Sequence, residues 1–373
     1  MEYGVRITGV GMAVPGYKTR LGVYVPGKIV LNEELAKDLW ERGQVFADAQ
    51  KLTGKERDEF LKPFTTSDEK IRDLVGIEKR SFVENSIATA FMGYLAAKEA
   101  IEMSGANIKK IQSEKGIAIL FATVSPDFPY SPPCATLVAD MLGLNCVPEN
   151  GVLPTLLGAD IALACSSFGA ALQIGSLYVK SGEVGAAIII GSDTMSSTVD
   201  KNNRDFLSIV ADAAGAVVLE PNSGHESSFF LHCMDGGMDG SKADRIIAEY
   251  GGSRFPCTAE AIAKGKNKLG MKGHPVFSEM IRLLPIITDS ALLRAKKTWA
   301  DIDNVFYHQA NLRMIPLEES LREKGFKGKV FNNIQKYGNT TSASIPLLLA
   351  EAYEEGILRY GNTFMTVVFG GGY

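Results

Sequence analysis

Two short runs of the sequence are apolar at every position, and they constrain the fold most strongly. The first reads IAILFA and begins at Ile117, and the second reads AAIIIG and begins at Ala186. A strand with one face in water alternates apolar and polar residues, whereas a strand covered by helices on both faces is apolar throughout. Because helical periods separate the runs, the sequence predicts βαβ units and a largely parallel sheet in an α/β protein.

Strand and helix patterns alternate along most of the 373 residues. In the first half the strand candidates are Val5–Gly9, Gly116–Phe121, Ala186–Gly191 and Gly215–Leu219, and the helix candidates are Ala88–Met103 and Ser166–Lys180. In the second half the helix candidates are Phe277–Arg294 and Thr340–Glu355, and the strand candidates are Asn304–Phe306 and Thr363–Phe369. A chain of this length is sufficient for two core-bearing units or for one large unit with an internal duplication.

Residues 32–62 differ from the rest of the chain because they are dense in charge. Two helical stretches are predicted there, with a break near Thr53. The segment is interpreted as a solvated helical decoration, and a lid or an arm in a dimer is the alternative.

Composition excludes several classes of protein. The net charge is −4, so no basic field points to nucleic acid. No apolar run approaches the roughly 20 residues of a membrane helix, and the first residues lack the pattern of a signal peptide. Five widely spaced cysteines without a C-x-x-C pair favour reduced thiols in a cytoplasm. The His232-Cys233 pair near His225 lacks the usual ligand spacing, so no metal site is expected.

Cys165 lies in ADIALACSSFGAA, where an apolar run ends and a helical pattern begins. The unpaired N–H groups and the dipole at a helix N-terminus favour a thiolate, so the pattern predicts a lowered thiol pKa and a nucleophile. A packed structural thiol is the alternative.

Three further loops carry polar or glycine-rich motifs. His308 opens HQANLR directly after an apolar strand, a position where α/β proteins place ligand-binding groups. Asn339 lies in YGNTTSAS before a helix, and glycines follow the last strand in FGGG. Each motif alone also has a structural explanation. His308 could be a structural histidine, Asn339 could cap the helix, and FGGG could form a terminal turn.

The motifs ACSSFGAAL, YHQANLR, KYGNTTSASIPLLL and VVFGGG, in that order, resemble the 3-oxoacyl-[acyl-carrier-protein] synthase III family of the thiolase superfamily. The resemblance covers nearly the whole chain except 32–62. It implies an α/β, thiolase-like, five-layered αβαβα fold with two related halves. The predicted halves are 1–222, which carries the cysteine, and 223–373, which carries the histidine and the asparagine.

The resemblance also implies a reaction. Cys165 takes an acyl group from a thioester, and a malonyl thioester then loses carbon dioxide and attacks that acyl group in a decarboxylative Claisen condensation. His308 and Asn339 donate hydrogen bonds to the malonyl thioester oxygen, and the N–H groups of Cys165 and Gly371 form an oxyanion hole. Acyl-coenzyme A or an acyl carrier protein supplies the substrates, and no metal or redox cofactor is expected.

Carrier recognition departs from the family pattern. Lys70 stands where the family has an adenine-stacking tryptophan, and Leu74 stands where an arginine is common. These differences weaken the prediction of coenzyme A as the donor carrier, and Arg204, which matches a family arginine near the nucleotide, keeps it as an alternative. Thr66 and Arg204 match carrier-binding positions, and Arg313 matches the arginine that receives the acidic acyl carrier protein.

Two positions bear on the acyl pocket and on assembly. Tyr130 aligns with the aromatic residue that reaches into the partner's acyl pocket, so the resemblance implies a homodimer. Val210 stands where a bulky phenylalanine is frequent. The smaller side chain predicts a donor longer or bulkier than acetyl.

Other functions stay open at the level of sequence. A thiolase-superfamily acyltransferase to an oxygen or nitrogen nucleophile in secondary metabolism is one alternative, and a catalytically silent partner subunit is another. A 3-hydroxy-3-methylglutaryl-coenzyme A synthase fits the motifs less well, since that chemistry uses a catalytic glutamate.

Overall fold

The computed structural model describes residues 4–146, 155–222, 229–231 and 233–371. The strands are β1 Val5–Ala13, β2 Gly27–Leu31, β3 Lys79–Val83, β4 Ile117–Ala122, β5 Leu156–Ile161, β6 Ala186–Thr194, β7 Asp212–Pro221, β8 Phe229–Phe230, β9 Ile246–Ile247, β10 Gly270–Met271, β11 Asn304–Tyr307, β12 Lys329–Val330 and β13 Phe364–Val367. The helices are α1 Asn32–Ala49, α2 Gly54–Leu61, α3 Asp68–Val75, α4 Thr89–Ser104, α5 Ile108–Lys115, α6 Cys134–Met141, α7 Ser167–Ser181, α8 Met195–Thr198, α9 Arg204–Leu207, α10 Ala259–Ala263, α11 Gly273–Ala295, α12 Glu318–Arg322, α13 Ile334–Tyr337 and α14 Ser344–Glu354.

The larger sheet has the strand order β5-β4-β6-β7-β1-β8. Strands β5, β4 and β6 are parallel, whereas β7, β1 and β8 alternate in direction. The prediction of a largely parallel sheet is therefore wrong for this half. The segment between β6 and β7 holds only the short helices α8 and α9, so the chain returns antiparallel without a crossover helix that covers the sheet.

The smaller sheet, β12-β11-β13, is parallel, and helices separate it from the larger one. Phe306 of β11 points into a core shared with α7 and α14, which also pack on the larger sheet. The neighbouring Val305 and Tyr307 point the other way, into a core shared with α11. Helix α4 covers the opposite face of the larger sheet. The order of layers is α4, sheet, α7 with α14, sheet and α11, which is the predicted αβαβα arrangement.

A close approach of backbones fixes how the central layer meets the larger sheet. Gly191 lies in β6, and a Cβ atom there would be 2.3 Å from the carbonyl oxygen of Ser342. Only glycine allows the turn Thr341–Ala343 to pack this closely. The turn before α14 is thereby placed beside Asp193, two residues further along β6.

The charged segment 32–62 folds as α1, α2 and a short 3-10 turn. One face of α1 is buried, because Leu35 and Leu39 pack with Met195 and Val210 in a single hydrophobic cluster. The prediction of a solvated helical segment is therefore incomplete, because one face of α1 belongs to the core. The segment closes the core next to the region that carries Asn339.

Several element boundaries differ from the predicted ones. Helix α14 begins at Ser344 instead of Thr340, because residues 341–343 form a 3-10 turn. Strand β8 lies after residue 222, the predicted boundary between the halves, but it pairs with β1 in the larger sheet. The division into halves at residue 222 stays a prediction. Within the described ranges, no helix has the length and apolar character needed to cross a membrane.

Candidate active site

Cys165 lies in the turn between β5 and α7, one residue after a strained backbone position. Ala164 has φ +47°, a left-handed conformation that costs a residue with a Cβ atom about 1–2 kcal/mol. The hydroxyl of Ser167 holds this turn. It accepts the N–H of Leu163 at 2.7 Å and donates to the carbonyl of Ala164 at 2.6 Å. Cys165 itself is half-buried.

The electrostatics around this thiol oppose the predicted thiolate. Burial raises the pKa of Cys165 to about 12, and the Asp193 carboxylate adds to the increase. The prediction of a lowered pKa is therefore wrong for the resting chain. At the start of α7 the N–H groups of Ser166 and Ser167 bond the carbonyls of Leu163 and Ala164, so both are used within the turn. Burial and the nearby charge of Asp193 both favour the neutral form, so the sulfur is an uncharged thiol at neutral pH.

Asp193 is a fully buried carboxylate that joins the loop after β4 to the turn before α14. Its Oδ1 accepts the hydroxyls of Thr123 and Ser125, both at 2.9 Å, from the loop after β4. Its Oδ2 accepts the hydroxyls of Thr341 and Ser342 from the turn before α14. The turn after Asn339 is thus tied to the sheet edge beside Cys165.

Asn339 is fixed through its backbone and its side chain. Its N–H donates to the carbonyl of Ile209 at 3.0 Å, and its carbonyl accepts the N–H of Ala211 at 2.9 Å. The side-chain Oδ1 accepts the N–H of Thr341 at 2.9 Å. Since the oxygen is engaged in this way, the amide nitrogen Nδ2 is the group that can donate to a substrate.

His308 follows β11 and is almost completely buried. Its N–H donates to the carbonyl of Val367 at 2.8 Å, and its ring meets the edge of Phe369 at a centroid distance of 5.2 Å. Burial lowers the pKa of the imidazole to about 3, so the ring is neutral at physiological pH. Nδ1 has no hydrogen-bond partner among the described residues.

The glycines after β13 connect this histidine to the cysteine. A Cβ atom on Gly370 would be 2.9 Å from the backbone nitrogen of Cys165, so only glycine fits against that turn. Phe369, the ring that contacts His308, precedes it. Gly371 comes next and packs against Ile246. The predicted residues from four motifs therefore meet in one region, with Gly370 making the closest backbone approach.

Two supporting residues were not identified from the sequence. Gln309 donates its N–H to the Ser344 hydroxyl at 2.8 Å, and its side-chain oxygen accepts the N–H groups of Asn333 and Ile334. Glu351 accepts hydrogen bonds from Asn333, Lys336 and Tyr337, which lead to Asn339. The sequence did carry a signal for Glu351, which is the lone carboxylate inside the apolar run IPLLLAEAY. A buried charge needs hydrogen-bond donors around it.

The predicted carrier-binding residues lie around α3 and α9. Arg313 is exposed and donates from Nε to the carbonyl of Asp73 at 3.1 Å, which docks the end of α3 on the HQANLR loop. Lys70 and Leu74 are exposed on the same helix. Arg204 donates to the carbonyl of Thr65, next to the half-buried Thr66.

The two predicted pocket residues have different surroundings. Val210 is fully buried in the cluster with Leu35 and Leu39, and its backbone forms a bridge with that of Asn339. Tyr130 is 82% exposed, and its hydroxyl donates to the carbonyl of Gly251 at 3.1 Å. Whether its ring enters a second subunit stays a prediction.

Among the described residues, no group of three or more histidine, cysteine, aspartate or glutamate side chains could hold a metal ion. His225 and His232, the histidines near Cys233, lie outside the described residues.

The layered fold is that of a thiolase-like condensing enzyme, and in it Gly370 and Phe369 link the Cys165 turn to His308 while Asp193 links it to the turn after Asn339. Residues 159–236 match the family described as 3-oxoacyl-[acyl-carrier-protein (ACP)] synthase III, and residues 292–373 match its C-terminal part. The chain belongs to this family, as the resemblance predicted.

Similar proteins support this assignment. The beta-ketoacyl-[acyl-carrier-protein] synthase III of Natranaerobius thermophilus is 34% identical over 308 residues, which is 82% of this chain and 88% of the relative. The Sulfurovum enzyme of the same name is 31% identical over 354 residues, with 94% and 91% covered. The crystal structure of the Aquifex aeolicus 3-oxoacyl-[acyl-carrier-protein] synthase III has a TM-score of 0.73 and 27% identity, covering 99% of this chain and 96% of that one.

The raised pKa of Cys165 predicts how the thiol responds to pH. Alkylation by iodoacetamide needs the thiolate, so the rate at Cys165 should rise roughly tenfold per pH unit from pH 6 to 9 without levelling. Peptide mass spectrometry after timed quenching measures this rate. The same peptide in the urea-unfolded chain is the control and should level above the ordinary cysteine pKa of about 8.5. A plateau below pH 8 in the folded protein would contradict the burial argument.

Proposed function

We propose that this protein transfers an acyl group from a thioester to Cys165 and condenses it with a malonyl thioester, with loss of carbon dioxide, to give a 3-oxoacyl thioester. The orientation of Asn339 supports this proposal most directly. Its oxygen accepts the N–H of Thr341, so its amide nitrogen is the group left to donate, and burial keeps His308 a neutral imidazole. A pair of neutral donors is suited to an oxygen on which negative charge develops.

In the first half-reaction the Cys165 sulfur bonds to the acyl carbon and the bond from that carbon to the carrier sulfur breaks. The proton lost by Cys165 leaves on the carrier thiol, so the step is balanced without a cofactor. The N–H groups of Cys165 and Gly371 are proposed to hold the oxyanion of the tetrahedral intermediate. The protonated resting thiol protects the residue from oxidation and alkylation until a thioester is bound.

In the second half-reaction the malonyl carbon–carboxylate bond breaks, and its electron pair forms an enolate. The enolate oxygen accepts hydrogen bonds from Asn339 and His308. The enolate carbon then attacks the acyl carbon, and the Cys165 thiolate departs. Because no carbon-bound proton is removed, a neutral histidine with a pKa near 3 suits this step better than a strong base would.

The proposed carriers are an acyl carrier protein and coenzyme A. The names of the relatives specify acyl-carrier-protein substrates for those enzymes. Arg313 supports the same carrier here, because its exposed side chain lies where the HQANLR loop meets α3. A cytoplasmic location is proposed with these carriers, and the absence of a C-x-x-C pair from the sequence supports it.

The acyl donor is proposed to be longer or bulkier than acetyl, since Val210 leaves more room beside Asn339 than a phenylalanine would. One experiment tests both the length of the donor and the role of Cys165 as the nucleophile. The protein is incubated with acyl-coenzyme A and acyl-carrier-protein thioesters of two to twelve carbons, and its intact mass is then measured. Cys165→Ala should abolish the acyl adduct, and Cys257→Ala, at an exposed cysteine, should retain it. Loading by acetyl alone would refute the pocket argument. An adduct that persists in Cys165→Ala would refute the assigned nucleophile.

A homodimer is also proposed, and the edge strand β5 supports it. Within the described ranges this strand pairs only with β4, so its other edge faces no strand among those residues. Its side chains are partly exposed, and Leu163 and Leu177 add exposed apolar surface nearby. Light scattering coupled to gel filtration should give twice the mass of the chain. Introducing proline at Leu157 should shift the protein to the monomer mass, and a monomer in the unaltered protein would contradict the proposal.

A further inference from the structure

Arg80 is a completely buried arginine in β3 that takes no part in the proposed half-reactions. Burial lowers the pKa of its guanidinium to about 10, and the charge of Asp68 opposes this shift. The group therefore stays charged at neutral pH. Taking a charge out of water is costly, so the contacts of this side chain have to account for its presence in the core.

The guanidinium of Arg80 connects two separate elements. Its Nη2 donates to Oδ1 of Asn32 at 2.6 Å and to the carbonyl of Ser208 at 3.0 Å. Its Nε and Nη1 have no hydrogen-bond partner among the described residues. Because a buried donor without a partner costs free energy, the guanidinium is a poor contributor to stability. What it supplies is the connection that its two bonds make.

Ser208 begins the segment that holds the backbone of Asn339. The next residue, Ile209, accepts the Asn339 N–H at its carbonyl, at 3.0 Å. The N–H of Ala211 then donates to the Asn339 carbonyl at 2.9 Å. The bond from Arg80 to Ser208 therefore fixes this segment one residue before its first contact with Asn339.

The strand that carries Arg80 also contacts the residues that precede Asn339. A Cβ atom on Gly338 would be 3.4 Å from Cβ of Arg80, so the stem of the side chain packs against this glycine. The N–H of Glu78, just before β3, donates to the carbonyl of Gln335 in α13 at 3.0 Å. Both stretches of chain that set the position of Asn339 are thus attached to β3.

Asn32 holds the other side of the guanidinium. Its Nδ2 donates to Oδ1 of Asp68 at 2.8 Å and to the carbonyl of Ile77 at 2.7 Å. With its oxygen bound to Arg80 and its nitrogen bound to these two acceptors, the amide has one orientation. Asp68 is the first residue of α3, so the guanidinium is anchored to the start of that helix.

We infer that Arg80 is a positioning residue for Asn339, which fixes the direction in which the Asn339 amide is presented to the malonyl thioester oxygen. This inference rests on the proposed function. The turn of Cys165 is held by Ser167 and packs against Gly370, so its geometry has other supports. Loss of the guanidinium should therefore slow decarboxylation and leave acylation of Cys165 nearly unchanged.

Arg80→Met tests this, because methionine keeps a long unbranched stem and removes the guanidinium. Two rates are measured at saturating substrate: acylation of Cys165 by the fastest-loading acyl-coenzyme A, and release of labelled carbon dioxide from carboxyl-labelled malonyl-coenzyme A by the acylated protein. We expect release to slow about tenfold, and acylation to change less than about twofold. Saturation confines any change in substrate binding to KM.

Arg6→Met is the matched control. Arg6 is also a buried arginine, and its Nε donates to the carbonyl of Pro221 at 3.2 Å, at the end of β7 remote from Ala211. This variant should leave both rates unchanged. Hydrogen exchange followed by mass spectrometry adds a direct reading, since the Asn339 N–H should exchange faster in Arg80→Met and not in Arg6→Met.

An equal fall of both rates in Arg80→Met, or unchanged release of carbon dioxide, would overturn the inference. If Arg80→Met does not fold, Arg80→Lys takes its place with the same direction expected, because lysine keeps the charge without the planar fork. Failure of the proposed function has a different signature, in which no thioester acylates Cys165 of the unaltered protein. Faster exchange at Asn339 then still supports the positioning role, and unchanged exchange overturns it.

Discussion

The buried carboxylate of Asp193 is the contact on which the geometry of the site depends. A charge in a protein interior is costly unless hydrogen bonds replace the lost water, and here hydroxyl and amide donors from two separate loops do so. One oxygen binds the loop after β4, and the other binds the turn that follows Asn339. Loss of this carboxylate would leave both loops with unpaired donors and would release the turn that follows Asn339 from β6.

The same carboxylate explains the state of the nucleophile. Its charge and the burial of the sulfur together favour the protonated thiol at Cys165. It also stabilises a backbone conformation that a β-branched residue rarely adopts, since Thr341 has φ +50° and its hydroxyl donates to Asp193. The strained residue Ala164 thus lies next to Cys165, and the strained residue Thr341 lies two residues after Asn339. These are the two groups whose positions matter most for the proposed reaction.

The strands and the helices between them could be predicted from the sequence, because a strand that helices cover on both faces is apolar at every position. This holds regardless of which strands lie beside it in the sheet. The same reasoning could not give strand direction, since β7 is as apolar as a parallel strand and yet runs antiparallel. Cys165, His308 and Asn339 were predicted from motifs that lie far apart in sequence. Asp193 was not, because its role depends on donors that only the folded chain brings together. The lowered pKa predicted for Cys165 failed because burial of the thiol and the charge of Asp193 favour its protonated form.

The role of Asn339 in decarboxylation is the central claim and can be measured in one experiment. Asn339→Ala and the unaltered protein are first acylated on Cys165, freed of excess donor, and then mixed with carboxyl-labelled malonyl thioester. Asn145→Ala, at an exposed asparagine, is the matched control. We expect the Asn339 variant to carry the acyl group and to release labelled carbon dioxide about a hundredfold more slowly, which is typical of losing one oxyanion donor. Release at the rate of the unaltered protein would contradict the account.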